Sequence, residues 1–128
     1  MSAVAGRALV ADDTRTNTEL LQDLLEDFEW EVEVAEDGAI AMEKMAVRRF
    51  DLLLLDLHMP NGDGIDVLRR LRRGESPRPG HVVLVTADPL YGIREQLLGL
   101  GADALLAKPI DIEALKGILA EAAPAAAG

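Results

Sequence analysis

The 128 residues, 49% of them hydrophobic, suffice for one domain with one core and are too few for two. A formal net charge of −10 argues against independent binding to DNA, RNA or anionic membranes, whose phosphates it repels. The lack of cysteine removes disulfides, thiolate chemistry and cysteine-ligated zinc or iron–sulfur centres. No apolar run approaches the roughly 18 residues that span a bilayer, so a soluble, cytoplasmic protein is expected.

In chain order, Ala8–Ala11 is a short apolar run before Asp12 and Asp13, hence a first strand with two carboxylates at its exit. Leu20, Leu21, Leu24, Leu25 and Phe28 then recur at helical spacing and predict a helix over Thr16–Phe28, its start marked by Thr14, Thr16 and Asn17. Glu31–Val34 alternates strictly, which suits an edge strand with one face exposed. Asp37-Gly38 opens a second helix running to about Val47, with Ala39, Met42 and Ala46 on one side. Asp51–Leu55 is the third strand. Its four consecutive leucines, bounded by turn residues, describe a strand buried on both faces. Asp56 closes that run, and the Pro60 and Gly62 that follow turn the backbone away and leave its carboxylate at the rim.

Ile65, Leu68 and Leu71 mark a third helix after Gly64, and residues 74–80 form a loop on composition alone. The arginines at 69, 70, 72, 73 and 78 read as solvated side chains complementing a helix carboxyl end. Val82–Val85 is a fourth strand ending in Thr86; His81, before it, is assigned a structural role on the opposite rim. Leu90, Ile93 and Leu97 indicate a fourth helix stopping near Gly99 and Gly101. Ala104–Ala107 is a fifth strand ending in Lys108-Pro109, and Asp111 caps a last helix with Ile112, Leu115, Ile118 and Leu119 inward. Residues 1–121 are thus expected to form the domain, and the Ala-rich stretch 122–128 to be a frayed tail or linker remnant.

Five strands alternating with five helices predict an α/β, flavodoxin-like doubly wound sheet in the order 2-1-3-4-5, which puts the alternating strand at an edge and the leucine strand at the centre. Every polar residue singled out then falls at a carboxyl end of the sheet, where open α/β folds bind their ligands. One crevice collects Asp12, Asp13, Asp56, Thr86 and Lys108. Crowded carboxylates call for a hard divalent cation, with Mg²⁺ preferred because it keeps waters and bridges to phosphate. A carboxylate beside Mg²⁺ can attack a phosphoryl group, and Lys108 and Thr86 would hold further phosphoryl oxygens.

With these residues the chain resembles the receiver domains of response regulators in two-component signalling, most closely those of hybrid histidine kinases, over Ala8 to about Ala120. The resemblance implies that Asp56 is the phosphoacceptor, Asp12 and Asp13 the acidic metal pair, Thr86 the conserved hydroxyl and Lys108 the conserved lysine, with a cis Lys108–Pro109 bond. It further implies that the His58 backbone carbonyl is a metal ligand, which leaves the His58 imidazole without a required role. Asn17, Thr86-Ala87-Asp88 and Lys108-Pro109-Ile110-Asp111 carry the hybrid-kinase likeness. Leu105 departs from the family, which often has Tyr or Phe there; Tyr91, early in the fourth helix, is read as a half-exposed packing residue in preference to a substitute for that ring.

The implied partner is a histidine kinase or a histidine phosphotransfer protein, with signalling by protein contact and not by turnover of a substrate. Two alternatives stand beside this. A small Asp-nucleophile phosphatase of the haloacid dehalogenase type shares the Asp, Lys and Mg²⁺, but expects a second Asp where His58 stands. A scaffold pseudo-receiver would not need the complete residue set.

Overall fold

The computed structural model describes residues 5–57, 59, 64–86 and 94–124. Within them lie β1 (Gly6–Ala11), α1 (Arg15–Asp27), β2 (Trp30–Ala35), α2 (Gly38–Val47), β3 (Leu52–Asp56), α3 (Gly64–Arg72), β4 (His81–Thr86), α4 (Arg94–Gly99), β5 (Ala104–Ala107) and α5 (Ile112–Ala122). All strand pairs are parallel, in the order β2-β1-β3-β4-β5. This is the expected doubly wound topology. No helix of the described residues is long and apolar enough to cross a membrane.

Because side chains alternate along a strand, the central leucines divide between two separate cores. Leu53 and Leu55 join Leu9, Val82 and Leu84 under α2, α3 and α4, with Met42, Met45, Val67, Leu68 and Leu97 closing the layer. Leu52 and Leu54 join Ala8, Val10, Val83 and Val85 under α1 and α5, with Leu21, Leu25, Leu115 and Leu119. Helix starts follow the sequence signals: Asp37 accepts from Ile40 N at 2.8 Å and Asp111 from Glu113 N at 3.3 Å.

Several expectations need correction. The third strand begins at Leu52, and Asp51 instead braces the amino-terminal rim, its Oδ2 accepting from Arg7 N at 2.9 Å. Ile112 does not point inward. It is 48% exposed, because Asp111 already occupies the cap and the buried stripe of α5 begins with Leu115. Leu20 is likewise 51% exposed, while Thr18 takes a buried place in α1 by donating to Arg15 O at 2.9 Å. β2 lies at the sheet edge as expected, with its glutamates part-exposed and paired with cations. Arg48 reaches Glu33 at 3.1 Å and Lys44 lies 3.8 Å from it, while Arg7 lies 3.4 Å from Glu31.

The arginines are at the surface as expected, and four of the five, Arg70, Arg72, Arg73 and Arg78, have partners there. Arg70 and Arg73 bind Glu75 at 3.1 and 2.8 Å, Arg72 donates to Gly99 O, and Arg78 donates to Gly101 O and Asp103 Oδ2, both at 2.7 Å. Ala122, assigned to the tail on composition, is the last helical residue and is buried. His81 begins β4, its backbone N–H donating to Asp51 O at 2.9 Å on the rim opposite the carboxylates. Tyr91 and the start of the expected fourth helix lie outside the described residues.

Candidate functional site

The carboxyl ends of β1, β3, β4 and β5 bring together Asp12, Asp13, Asp56, Thr86 and Lys108. Asp12 continues β1, held there by its N–H donating to Ala35 O at 3.0 Å. Only 2% of its surface is exposed. One of its oxygens accepts from Thr14 N at 2.9 Å and the other from Lys108 Nζ at 3.1 Å. Asp13, one residue on, faces solvent. Asp56 is the last residue of the fully buried strand β3, with its side chain at the mouth and 3.6 Å from Lys108 Nζ.

Lys108 follows β5, which ends at Ala107, and its Nζ lies near both carboxylates; the Lys108–Pro109 peptide is cis, as expected. The Lys108 N–H donates to Thr86 O at 2.8 Å, which fixes it beside the end of β4. Thr86 is buried there. Carboxylate oxygens of Asp12, Asp13 and Asp56 lie within 4.8 Å of one another. Oxygens about 2.0–2.1 Å from a Mg²⁺ ion stand roughly 3–4 Å apart, so small side-chain rotations would close this set on the ion. The donor set, hard oxygens with one exposed member, fits that cation. His58 lies outside the described residues.

One contributor escaped the sequence reading. Gly64 opens α3, and a Cβ there would stand only 2.7 Å from Asp56 O and 3.1 Å from Leu57 Cα. Its N–H donates to Leu57 O at 3.0 Å. The absent side chain therefore lets α3 begin directly against the backbone that carries Asp56. The only sequence signal was a glycine at a helix start, which turn composition explains equally well.

Residues 8–120 match the response regulator receiver domain family. The histidine-protein kinase BarA of Shigella flexneri is 37% identical over 92% of this chain, and the response regulator PleD of Caulobacter vibrioides is 41% identical over 84%. The chain spans 13% of the length of BarA and 24% of PleD. Among solved structures, the Vibrio cholerae chemotaxis protein CheY4 superimposes with a TM-score of 0.83 at 27% identity, covering 94% of this chain and 99% of that one. The receiver domain of the sensor histidine kinase PA1611 from Pseudomonas aeruginosa, with magnesium coordinated in its active-site cleft, gives 0.82 at 29% identity, covering 92% and 97%. Fold, strand-end constellation and sequence matches agree, and the chain belongs to the response regulator receiver domain family.

Proposed function

We propose that Asp56 accepts a phosphoryl group from a phosphohistidine on a histidine kinase or phosphotransfer protein, and that the chain passes the signal on by protein contact. The observation that carries this is the placement of one buried-strand carboxylate, Asp56, within 3.6 Å of Lys108 and beside the Asp12 and Asp13 carboxylates. An Asp56 oxygen attacks phosphorus as the P–N bond to imidazole breaks. Asp12, Asp13 and Asp56 would hold Mg²⁺, and the family resemblance adds the His58 carbonyl. When bound, the ion supplies positive charge to offset the carboxylates and a phosphoryl oxygen. Lys108 neutralises a second equatorial oxygen, and the Thr86 hydroxyl donates to a third.

The product of this chemistry is a changed surface and not a released metabolite, so the chain acts as a cytoplasmic switch or relay. Leu105 is half-buried against the core shared with Leu98 and Leu100 and has no polar group to bury or expose with state. Its readout therefore does not run through a ring at that position. Incubation with Mg²⁺ and acetyl phosphate, followed by intact mass, tests the proposal. One phosphoryl group is expected, and none on Asp56→Asn. Full labelling of that variant at a hydroxyl-stable bond would overturn the assignment.

A further inference from the structure

Only Glu43 and Lys44 are polar in α2; its other residues are alanine, methionine, isoleucine, valine and glycine. A helix that is apolar around its whole circumference is ordinarily covered on every side. Here Ala41, Met42 and Met45 are buried in the core, whereas Ala39, Ala46 and Val47 face solvent, and Val47 is 85% exposed. Ala39, Glu43 and Val47 follow one another at four-residue spacing, and Met42 and Ala46 form the adjacent row, so the exposed apolar positions share one face.

That face borders a groove of about 320 Å³, lined by Ala39, Met42, Glu43 and Ala46 of α2 and, across from them, by Arg70 and Glu75. From Ala39 to Ala46 it runs about 10 Å at 1.5 Å per residue, or two helical turns. Both helices return over the same face of a parallel sheet, so they point the same way and like ends meet. The groove is therefore electrically polarised. At one end stand the Asp37 cap of α2 and Asp66 in the first turn of α3. At the other stand the exposed Arg48 and Arg49, and residues 69–73 of α3, which hold arginines and no carboxylate.

We propose that this groove docks an amphipathic helix of a partner protein, laid antiparallel to α2 and α3, with acidic residues in its first turns and basic residues in its last. The apolar stripe of the guest covers Ala39, Ala46 and Val47, its acidic start meets the arginine end, and its basic finish meets Asp37 and Asp66. The same charges complement the guest's own dipole, and the antiparallel arrangement sets its dipole against those of its hosts. Two turns of contact make a small interface, of the kind found in transient signalling encounters. An anionic membrane fits less well, because the acidic end of the groove and the net charge of −10 both repel it. Docking here goes beyond phosphoryl transfer and does not require Asp56.

Two synthetic peptides of equal length and composition test this, each held helical by a hydrocarbon staple and carrying leucines along one face. One has glutamates in its first half and lysines in its second; the other has the halves exchanged. Amide chemical shifts of the full chain are followed as each peptide is added to about 1 mM in low salt. The first peptide should move residues 39–47 and 66–75 and bind at least about fivefold more tightly than the second. A nitroxide on its first residue should broaden residues 46–49 and 69–73 more than residues 38–40 and 64–66. The double variant Ala46→Gln, Val47→Gln changes two exposed side chains, so it should melt within about 3 °C of the parent and bind about fivefold more weakly or worse. No binding, equal binding of the two peptides, shifts confined to other surfaces, or binding that survives the double variant would overturn the proposal. So would sedimentation with vesicles of one-third phosphatidylserine, or self-association, that the double variant abolishes, since these assign the groove to lipid or to a second copy. Asp56→Asn should bind the first peptide as the parent does. Failure of acetyl phosphate to label Asp56 while the peptide still docks would overturn the phosphoaccepting reading alone.

Discussion

Replacing Gly64 by alanine should injure both the fold and the chemistry, through a contact of one atom. The added Cβ would meet Asp56 O at 2.7 Å, Leu57 Cα at 3.1 Å and Leu84 Cδ2 at 3.2 Å. The first two are backbone atoms and cannot rotate aside. Overpacking of this kind costs about 1–3 kcal/mol. Alanine recovers at most about 1 kcal/mol of helix propensity, and less at a first-turn position. The net loss should be about 1–2 kcal/mol, which lowers the melting temperature by roughly 3–10 °C for a domain of this size.

The same substitution at Gly117, on the open side of α5 where a Cβ meets nothing within 4 Å, should stabilise by about 0.5–1 kcal/mol. Thermal melts of both variants supply the comparison, and acetyl phosphate labelling supplies the functional half. Moving the Asp56 backbone by a fraction of an ångström should slow labelling of Gly64→Ala by about tenfold or more, since 1 Å misplacements cost about 10². Gly117→Ala should label as the parent does. A Gly64→Ala protein as stable as the parent, or labelled within about twofold of its rate, would refute the reasoning.

Other expectations follow from particular contacts. Asp13→Ala should weaken Mg²⁺ binding severalfold or more in titration calorimetry, because one oxygen ligand is replaced by water. Lys108→Ala should tighten it severalfold, because the ammonium that lies 3.1 Å from Asp12 and 3.6 Å from Asp56 competes with the ion for the same carboxylates. Asp103→Ala should cost about 1–3 kcal/mol in urea unfolding, since the carboxylate that serves both Val82 N at 2.8 Å and Arg78 at 2.7 Å is lost and a part-buried N–H loses its partner. Arg78→Ala leaves that N–H paired and should cost less. Hydrogen bonds from Arg73 and then Arg70 hold the Glu75 carboxyl below its ordinary value. A depressed folded value means that its support for the loop is complete above the ordinary glutamate range and is lost as pH falls through the folded value. An NMR titration should place the midpoint low, and Arg73→Ala should raise it.

The strands and their order were legible because burial on two faces leaves continuous apolar runs, as in Leu52–Leu55 and Val82–Val85, and burial on one leaves alternation. The site was legible because its residues sit at strand ends, where a parallel sheet must gather them. Long-range partners were not. Nothing in Glu31-Val32-Glu33-Val34 distinguishes a solvated glutamate face from one capped by Lys44 and Arg48. Arg72 at the end of α3 and Arg78 in the loop beyond it likewise read as dipole complements until Gly99 arrives beside the first and Gly101 and Asp103 beside the second. Ile112 looked inward because periodicity counts apolar positions and does not say where the buried stripe begins. The need for glycine at position 64 depends on the Asp56 carbonyl, eight residues earlier, which no local pattern encodes.

The division of the β3 leucines between two cores has an evolutionary consequence. A single layer of backbone separates Leu53 and Leu55 from Leu52 and Leu54, so among the described residues the helices on the two faces pack into separate buried clusters. Substitutions on opposite faces are therefore close to thermodynamically additive. The α1 and α5 side can drift toward a new partner while the α2, α3 and α4 side keeps its packing, and a lineage that duplicates such a module can rewire one face without renegotiating the other.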